Sequence, residues 1–170
     1  MLVMIKHMDE LNISQLYRVY EESLIRSGRS EYSNQPENLQ LILAEQDFHS
    51  YSRFFLKDDN SYYAIWTHEG VYKAALRLES YEDGVIITGL ETAPGARREG
   101  HGANLVNAVL QFLSEKMIQK VYAHVSKDNI PSLQLHRNQG FLPVLDYAVY
   151  LDGSVSTNAY TLCRKIDKTT

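Results

Sequence analysis

The sequence predicts an α/β domain, a mixed sheet with helices on its faces, in the order β-α-α-β-β-β-α-β-α-β-β. Three observations carry this. Short apolar stretches with β-branched and aromatic residues alternate with longer stretches whose apolar residues recur at helical spacing. Asp83-Gly84 stands between two strand-like stretches as a hairpin turn signal. A Gly-rich turn, Gly95 to Gly102, connects a strand pattern to an amphipathic helix pattern. The 170 residues suit one domain, 1–170, large enough for a proper core.

The elements follow in chain order. Val3 to Lys6 reads as a first strand. Asp9 is placed to cap a helix in which Ile13, Leu16, Tyr20 and Leu24 recur, with Gly28 marking its end region. Ser33 or Asn34 is placed to cap a second helix that begins at Pro36 and carries Leu39, Ile42 and Leu43 on one side. Lys57-Asp58-Asp59-Asn60 reads as a solvated loop. Tyr62 to Thr67 and Val71 to Ser80 read as strands joined by His68-Glu69-Gly70, and Val85 to Thr92 as the strand after the hairpin turn. Leu105, Val109, Leu113 and Met117 are spaced four apart in the next helix, with Val106 and Leu110 alongside. Val121 to Val125 reads as a short buried strand. Pro131 suits the first helical position of a short helix, and Gly140 the left-handed residue that ends it. Tyr147 to Leu151 and Ala159 to Lys165 suggest a closing hairpin through Asp152-Gly153.

Composition bounds the function. A net charge of −4 argues against nucleic acid, whose binders show a basic face, and is compatible with a cationic substrate. No apolar run is long enough to cross a bilayer, and the N-terminal residues show no signal-peptide pattern. Cys163 is the one cysteine, which excludes an intrachain disulfide, fits a reducing cytoplasm and reads as an apolar strand filler. His7, His49, His68, His101 and His124 have no metal spacing with carboxylates or with Cys163, so no metal is expected.

The chemistry concentrates in Glu91-Thr92-Ala93-Pro94-Gly95-Ala96-Arg97-Arg98-Glu99-Gly100-His101-Gly102-Ala103. A strand feeds through this turn into a helix start, where unpaired N–H groups and the helix dipole favour an anion. Gly100 and Gly102 let a phosphate approach the main chain, and Arg97 and Arg98 add positive charge. Capture of a pyrophosphate is the chemistry this suggests. The third Gly of a dinucleotide fingerprint and the Gly-Lys-Ser/Thr of a Walker loop are both missing.

Arg97-x-x-Gly100-x-Gly102 after a strand carrying Ala93-Pro94 resembles the acyl-CoA-binding signature of the GNAT acetyltransferase superfamily. A second segment agrees: Asn129, then Ile130-Pro131-Ser132, then Leu133 to Gly140-Phe141 is similar to that family's Asn after the fifth strand, short helix and terminal Gly-Phe. The resemblance implies a GNAT-like sheet whose fourth and fifth strands splay apart, with acyl-CoA entering the gap. It implies cofactor contacts from Leu90, Thr92, Arg97, Arg98, Glu99, Gly100, His101, Gly102, Ala103, Asn129, Ser132 and His136. The implied reaction is direct attack of a primary amine on acetyl-CoA, with no covalent intermediate on the protein and no metal.

That reaction needs a base for the amine, donors for the oxyanion and an acid for the thiolate. The family often places a Tyr acid at the position held here by His136, so His136 is the expected acid. Glu91, on the motif strand and pointing opposite to Leu90 and Thr92, is the expected base. Glu79 is a weaker candidate, and Tyr147, Tyr150 and Tyr160 are candidates to line the cleft. Arg26 to Asn38 lies where the family often builds its acceptor site. The acceptor is a small-molecule or protein amine, and a homodimer is compatible with family habit. Two other readings stay open: a module that binds acyl-CoA without turnover, and an enzyme that acetylates aminoacyl-tRNA as a toxin. The acidic balance counts against the latter.

Overall fold

The computed structural model describes residues 1–166. Strands β1 (Leu2–Ile5), β2 (Tyr62–His68), β3 (Val71–Tyr81), β4 (Gly84–Thr92), β5 (Lys120–Ser126), β6 (Leu142–Leu145) and β9 (Ala159–Lys165) form one sheet in the order β1-β2-β3-β4-β5-β9-β6. Neighbours are antiparallel except β4 and β5, which are parallel and joined by helix α4 (His101–Glu115). This is a mixed α/β fold with a mostly antiparallel seven-stranded sheet and, among the described residues, five α-helices. The short strands β7 (Ala148–Val149) and β8 (Val155–Ser156) pair as a separate hairpin.

Period-two alternation gives the sheet two apolar faces. Ala64, Leu76, Leu78, Ile87, Val121 and Ala123 pack with the buried stripe of α4, from Leu105 to Leu113, on one face. Ile5, Tyr63, Ile65 and Ala75 pack on the other against α1 (Ile13–Val19), α2 (Glu21–Glu31) and α3 (Glu37–Phe55). Among the described residues no helix is long and apolar enough to cross a membrane.

The first helical region differs from the sequence expectation. Asp9 lies inside a 3-10 turn, Met8–Glu10, and Asn12 caps α1 instead, its Oδ1 accepting from Gln15 N at 3.1 Å. The expected single helix is bent at Tyr20. Hydrogen bonding continues through the bend, with Tyr20 N on Leu16 O at 3.1 Å and Leu24 N on Tyr20 O at 2.9 Å. Gly28 does not end the helix. It is buried within α2, where an added Cβ would lie 2.5 Å from the carbonyl oxygen of Gln40 in α3. It therefore marks the close approach of two helices. Gly28→Val is expected to cost about 1–3 kcal/mol by overpacking, more than the few tenths gained over Gly by helix propensity. A melting curve should show a fall of about 2–4 °C per kcal/mol. An unchanged curve would mean that α3 moves away at no cost. Ser33 and Asn34 lie in the turn between α2 and α3, and Pro36, with no side-chain cap, takes the N-cap position.

Two further expectations are corrected. Helix α4 ends at Glu115. Met117 is outside it with φ 62° and is exposed, because the chain turns left-handed there to close Ile118 N on Leu113 O. At the C-terminal end β9 does not pair with 147–151. It lies between β5 and β6, and Asp152-Gly153 turns only the small β7–β8 hairpin. The sequence reading assigned no element to β6, which carries Pro143. An edge strand tolerates a proline because one side needs no donors, and β6 is at the sheet edge.

Candidate functional site

The site begins at a β-bulge. Ala75 and Arg77 of β3 pair with Glu91 and Thr88 of β4, so Leu76 alone opposes both Gly89 and Leu90. Gly89 is left-handed, φ 56°, which favours glycine at this position. The Tyr20 hydroxyl donates to Gly89 O at 2.5 Å and anchors the bulge from the α1–α2 bend. Pairing between β4 and β5 covers only Val85–Val121, Ile86–Tyr122 and Ile87–Ala123. Beyond it the two strands part, and the edge of β4 facing β5 is free to pair with a ligand.

Past Thr92 a 3-10 turn, Pro94–Ala96, leads to Arg98 (φ 65°) and Gly100 (φ 82°), both left-handed. Alternating left-handed residues turn successive N–H groups toward one side, an anion-binding arrangement. Gly100 is the N-cap of α4, and the first helical bond runs from Asn104 N to Gly100 O at 2.9 Å. The N–H groups of His101, Gly102 and Ala103 therefore have no helical acceptor. Gly102 sits where β4, α4 and α5 (Ile130–Asn138) meet: an added Cβ would lie 3.1 Å from Thr92 Oγ1 and 3.4 Å from Leu135 Cδ1.

These elements enclose a cleft of about 960 Å³. Leu90, Thr92, Arg97, Arg98, Gly100, His101, Gly102, Ala103, Asn129 and Ser132 line it, as does Glu91. Two of the expected cofactor contacts do not line it, Glu99 and His136, and neither do Glu79, Tyr147, Tyr150 and Tyr160. Glu99 turns to the His101 ring, Oε2 to Nε2 at 2.9 Å. Asn129 works locally as the N-cap of α5, Oδ1 accepting from Ser132 N at 3.1 Å.

His136 is 2% exposed, with its ring edge-on to Phe141 at 5.1 Å. Nδ1 lies 2.8 Å from the carbonyl oxygen of Ser132. A carbonyl only accepts, so Nδ1 carries the proton and neutral His136 leaves Nε2 as an acceptor. Nε2 is buried with no partner among the described residues. Burial lowers the His136 pKa, against a smaller upward effect of the Ser132 hydrogen bond. In this neutral state Nε2 carries no proton. The position that the resemblance assigns to an acid is buried here and does not line the cleft.

Glu91 is better placed. It lies on the sheet face opposite Leu90, and its Oε1 accepts a hydrogen bond from Ser23 Oγ of α2. Burial raises its pKa, opposed by the Ser23 hydrogen bond and by Arg26, Arg97 and Arg77. A carboxyl with a raised pKa in a cleft is a candidate proton acceptor. Glu79, on the same face, accepts from Thr88 Oγ1 at 3.1 Å. Tyr147 and Tyr150 are exposed near the β7–β8 hairpin, where Tyr150 packs edge-on to His124 at 5.1 Å. Tyr160 is on the other face, packed against the α4-side core.

Sequence reading missed Glu22 and Ser23 of α2, together with the α5 residues Ile130, Pro131, Gln134 and Leu135 as cleft lining. Of the Arg26–Asn38 stretch, Arg26 alone lines the cleft. Glu22 takes both Arg97 guanidinium nitrogens, at 2.9 and 2.7 Å, and ties α2 to the Gly-rich turn. A Glu22/Arg26 spacing of one helical turn was the available signal, but helix spacing alone does not tell a solvated face from one facing a cleft. Among the described residues no group of His, Cys, Asp or Glu is placed to hold a metal ion.

Residues 15–141 match the family model described as Acetyltransferase (GNAT) family, from α1 through Phe141. The chain belongs to the GNAT acetyltransferase family. The GNAT fold also recurs in solved structures. PaiA N-acetyltransferase of Thermoplasma acidophilum in complex with coenzyme A is 11% identical over 98% of this chain and 99% of that one, TM-score 0.66. The ribosomal-protein-S18-alanine N-acetyltransferase of Escherichia coli is 15% identical over 100% and 97%, TM-score 0.63. Ard1 of Thermoplasma volcanium is 22% identical over 97% of each chain, TM-score 0.61. No curated protein matches this GNAT chain in sequence.

Proposed function

We propose that this GNAT protein transfers an acetyl group from acetyl-CoA to a primary amine by direct attack. One observation carries the reading: a single cleft runs from the unpaired N–H groups at the start of α4 to Glu91 at the β4 bulge. The first end suits a pyrophosphate and the second suits an amine that must lose a proton. The PaiA structure holds coenzyme A on the same fold, which supports acetyl-CoA as the donor. A cytoplasmic setting suits the lone Cys163 and this donor.

The phosphates rest on the N–H groups of Gly100 to Ala103, and the pantetheine arm lies along the edge of β4 that β5 leaves free. Glu91 takes the amine proton, directly or through one water. The amine nitrogen forms its bond to the thioester carbon, the C–S bond breaks, and the thiolate takes a proton from solvent in the cleft. His136 acts in packing. His136→Phe is then expected to keep turnover well within the roughly 10²–10⁴-fold loss that removal of a general acid causes. It should lower stability by about 1 kcal/mol for the lost Ser132 hydrogen bond. A full-scale loss of turnover with normal acetyl-CoA affinity would restore the acid role.

The testing experiment has two readouts. Acetyl-CoA should raise the melting temperature, since a ligand of the folded state stabilises it by mass action. An amine library with acetyl-CoA should then release free thiol. Absence of binding at millimolar acetyl-CoA would remove the reading. Binding with no thiol release from any amine would make the chain an acyl-CoA-binding module instead.

A further inference from the structure

Helix α2 supplies the one hydrogen bond that the Glu91 carboxyl makes among the described residues. Ser23 Oγ donates to Oε1, and no hydrogen bond reaches Oε2. Both residues line the cleft. The Ser23 hydroxyl makes no other hydrogen bond, so it is not turned back to the helix backbone, as serines within helices often are. The first turn of α2 is fixed at three points around it. The Tyr20 hydroxyl, at the N-cap, donates to Gly89 O of the bulge. Glu22 accepts from both guanidinium nitrogens of Arg97 in the Gly-rich turn. Leu24 is buried in one cluster with Tyr63 and Ile65 of β2. The position of Ser23 against β4 is therefore set by contacts other than Glu91. A contact supplied by a fixed element orients a reacting group more closely than one supplied by a loop.

With Oε1 held by Ser23, Oε2 is the oxygen left to take a proton. The hydroxyl also acts on protonation. A donor to the carboxylate favours the charged form, whereas burial favours the neutral acid. Arg26 of α2, Arg97 of the turn and Arg77 of β3 act in the same direction as Ser23. Arg97 is paired with Glu22, and Arg77 hydrogen-bonds the Tyr63 hydroxyl. The buried Tyr20 also faces Glu91, and Glu79 shares its sheet face but is held by Thr88. Ser23 differs from the arginines in fixing one carboxyl oxygen by a directional bond.

We propose that Ser23 is a positioning residue for the acetyl transfer: it holds Glu91 by Oε1 and so presents Oε2 to the amine. This rests on the acetyltransferase reading above, with Glu91 as its base. The amine proton passes to Oε2, directly or through one water. Ser23 keeps its own proton throughout and acts through Glu91.

The test reads Glu91 in two ways, in the full chain, with Ser23→Ala and Ser23→Thr beside the wild type. The first is an NMR titration of isotope-labelled glutamate carboxyls, with Glu91→Gln identifying the Glu91 signal. It needs no acceptor. Glu91 should titrate at higher pH in Ser23→Ala, because a donor to the charged form is gone, and Ser23→Thr, which keeps a hydroxyl, should titrate with the wild type. The second is kcat against pH, at saturating acetyl-CoA, for an amine that the library identifies. In Ser23→Ala the rising limb should move to higher pH. The plateau above it should fall by about tenfold to a hundredfold, the scale on which a misplaced reacting group acts. Ser23→Thr should keep the limb and most of the plateau, and acetyl-CoA affinity by calorimetry should stay at the wild-type value in both. A Glu91 titration unmoved by Ser23→Ala, or an unchanged plateau, overturns the proposal. So does a Ser23→Ala chain that melts early and loses acetyl-CoA affinity along with turnover, since Ser23 would then hold α2 in place rather than orient Glu91. Full turnover in Glu91→Gln, or acetylation of no amine by the wild type, removes the reading beneath the proposal and the positioning role with it. Loss of turnover in Glu91→Gln with none in Ser23→Ala sinks the positioning role alone.

Discussion

Gly100→Val is expected to abolish measurable acetyl-CoA binding while the chain stays folded. Two effects add. Gly100 is left-handed, with φ 82°, a conformation that costs an L-residue about 1–2 kcal/mol and a β-branched one more. The space beside its Cα is open, with no atom within 4 Å of an added Cβ, so nothing in the protein is displaced. That open space is cleft, and a branched side chain would fill the approach to the N–H groups of His101 to Ala103. Losing two hydrogen bonds to charged phosphate removes about 3–6 kcal/mol, more than a hundredfold in affinity. Gly102→Val differs, because its Cβ would press on Thr92 Oγ1 and Leu135 Cδ1. It should lose stability as well as binding. Calorimetry with acetyl-CoA beside thermal melts separates the two, and normal affinity in Gly100→Val would place the pyrophosphate elsewhere.

Glu91→Gln is expected to lower turnover by about 10²–10⁴, the range for a lost general base, with acetyl-CoA affinity unchanged. The wild-type rate should rise with pH through a limb above the ordinary Glu value of about 4.3, since burial raises the Glu91 pKa. That limb should vanish in Glu91→Gln. The stability effect has the opposite sense to the activity effect. A carboxyl whose folded pKa is raised adds stability only below its unfolded pKa, and that contribution is lost as pH rises through the folded value. At pH 8 the wild type keeps a partly buried carboxylate at a cost, so Glu91→Gln should melt no lower than the wild type there. A turnover loss with a clear drop in melting temperature would make Glu91 structural. Unchanged turnover would move the base to Glu79 or to water.

The strand–turn–helix segment of the candidate site was legible because it is local. Gly100 is left-handed and caps α4, as a Gly between a strand and a helix pattern implies, and Asn129 caps α5 within its own motif. The long amphipathic stripe from Leu105 to Leu113 is the buried face of α4. Failures came where a local signal had two meanings. Gly28 looked like a helix end and is a helix–helix contact.

The sequence by itself determined the strand–turn–helix segment with its Gly-rich turn, the order of most elements and the family, since each is written in residues close together along the chain. Only the tertiary structure shows the surroundings of His136, Glu91 and Arg77. The short-range hydrogen bond of His136 to Ser132 fixes its tautomer, but its burial comes from Phe141 and the sheet. Glu91 takes its environment from Ser23 and Arg26 on α2, more than sixty residues away in sequence. Arg77 takes its setting from Tyr51 and the bulge at Gly89. Protonation and charge pairing depend on solvent exclusion and on neighbours across space, and a sequence records neighbours only along the chain.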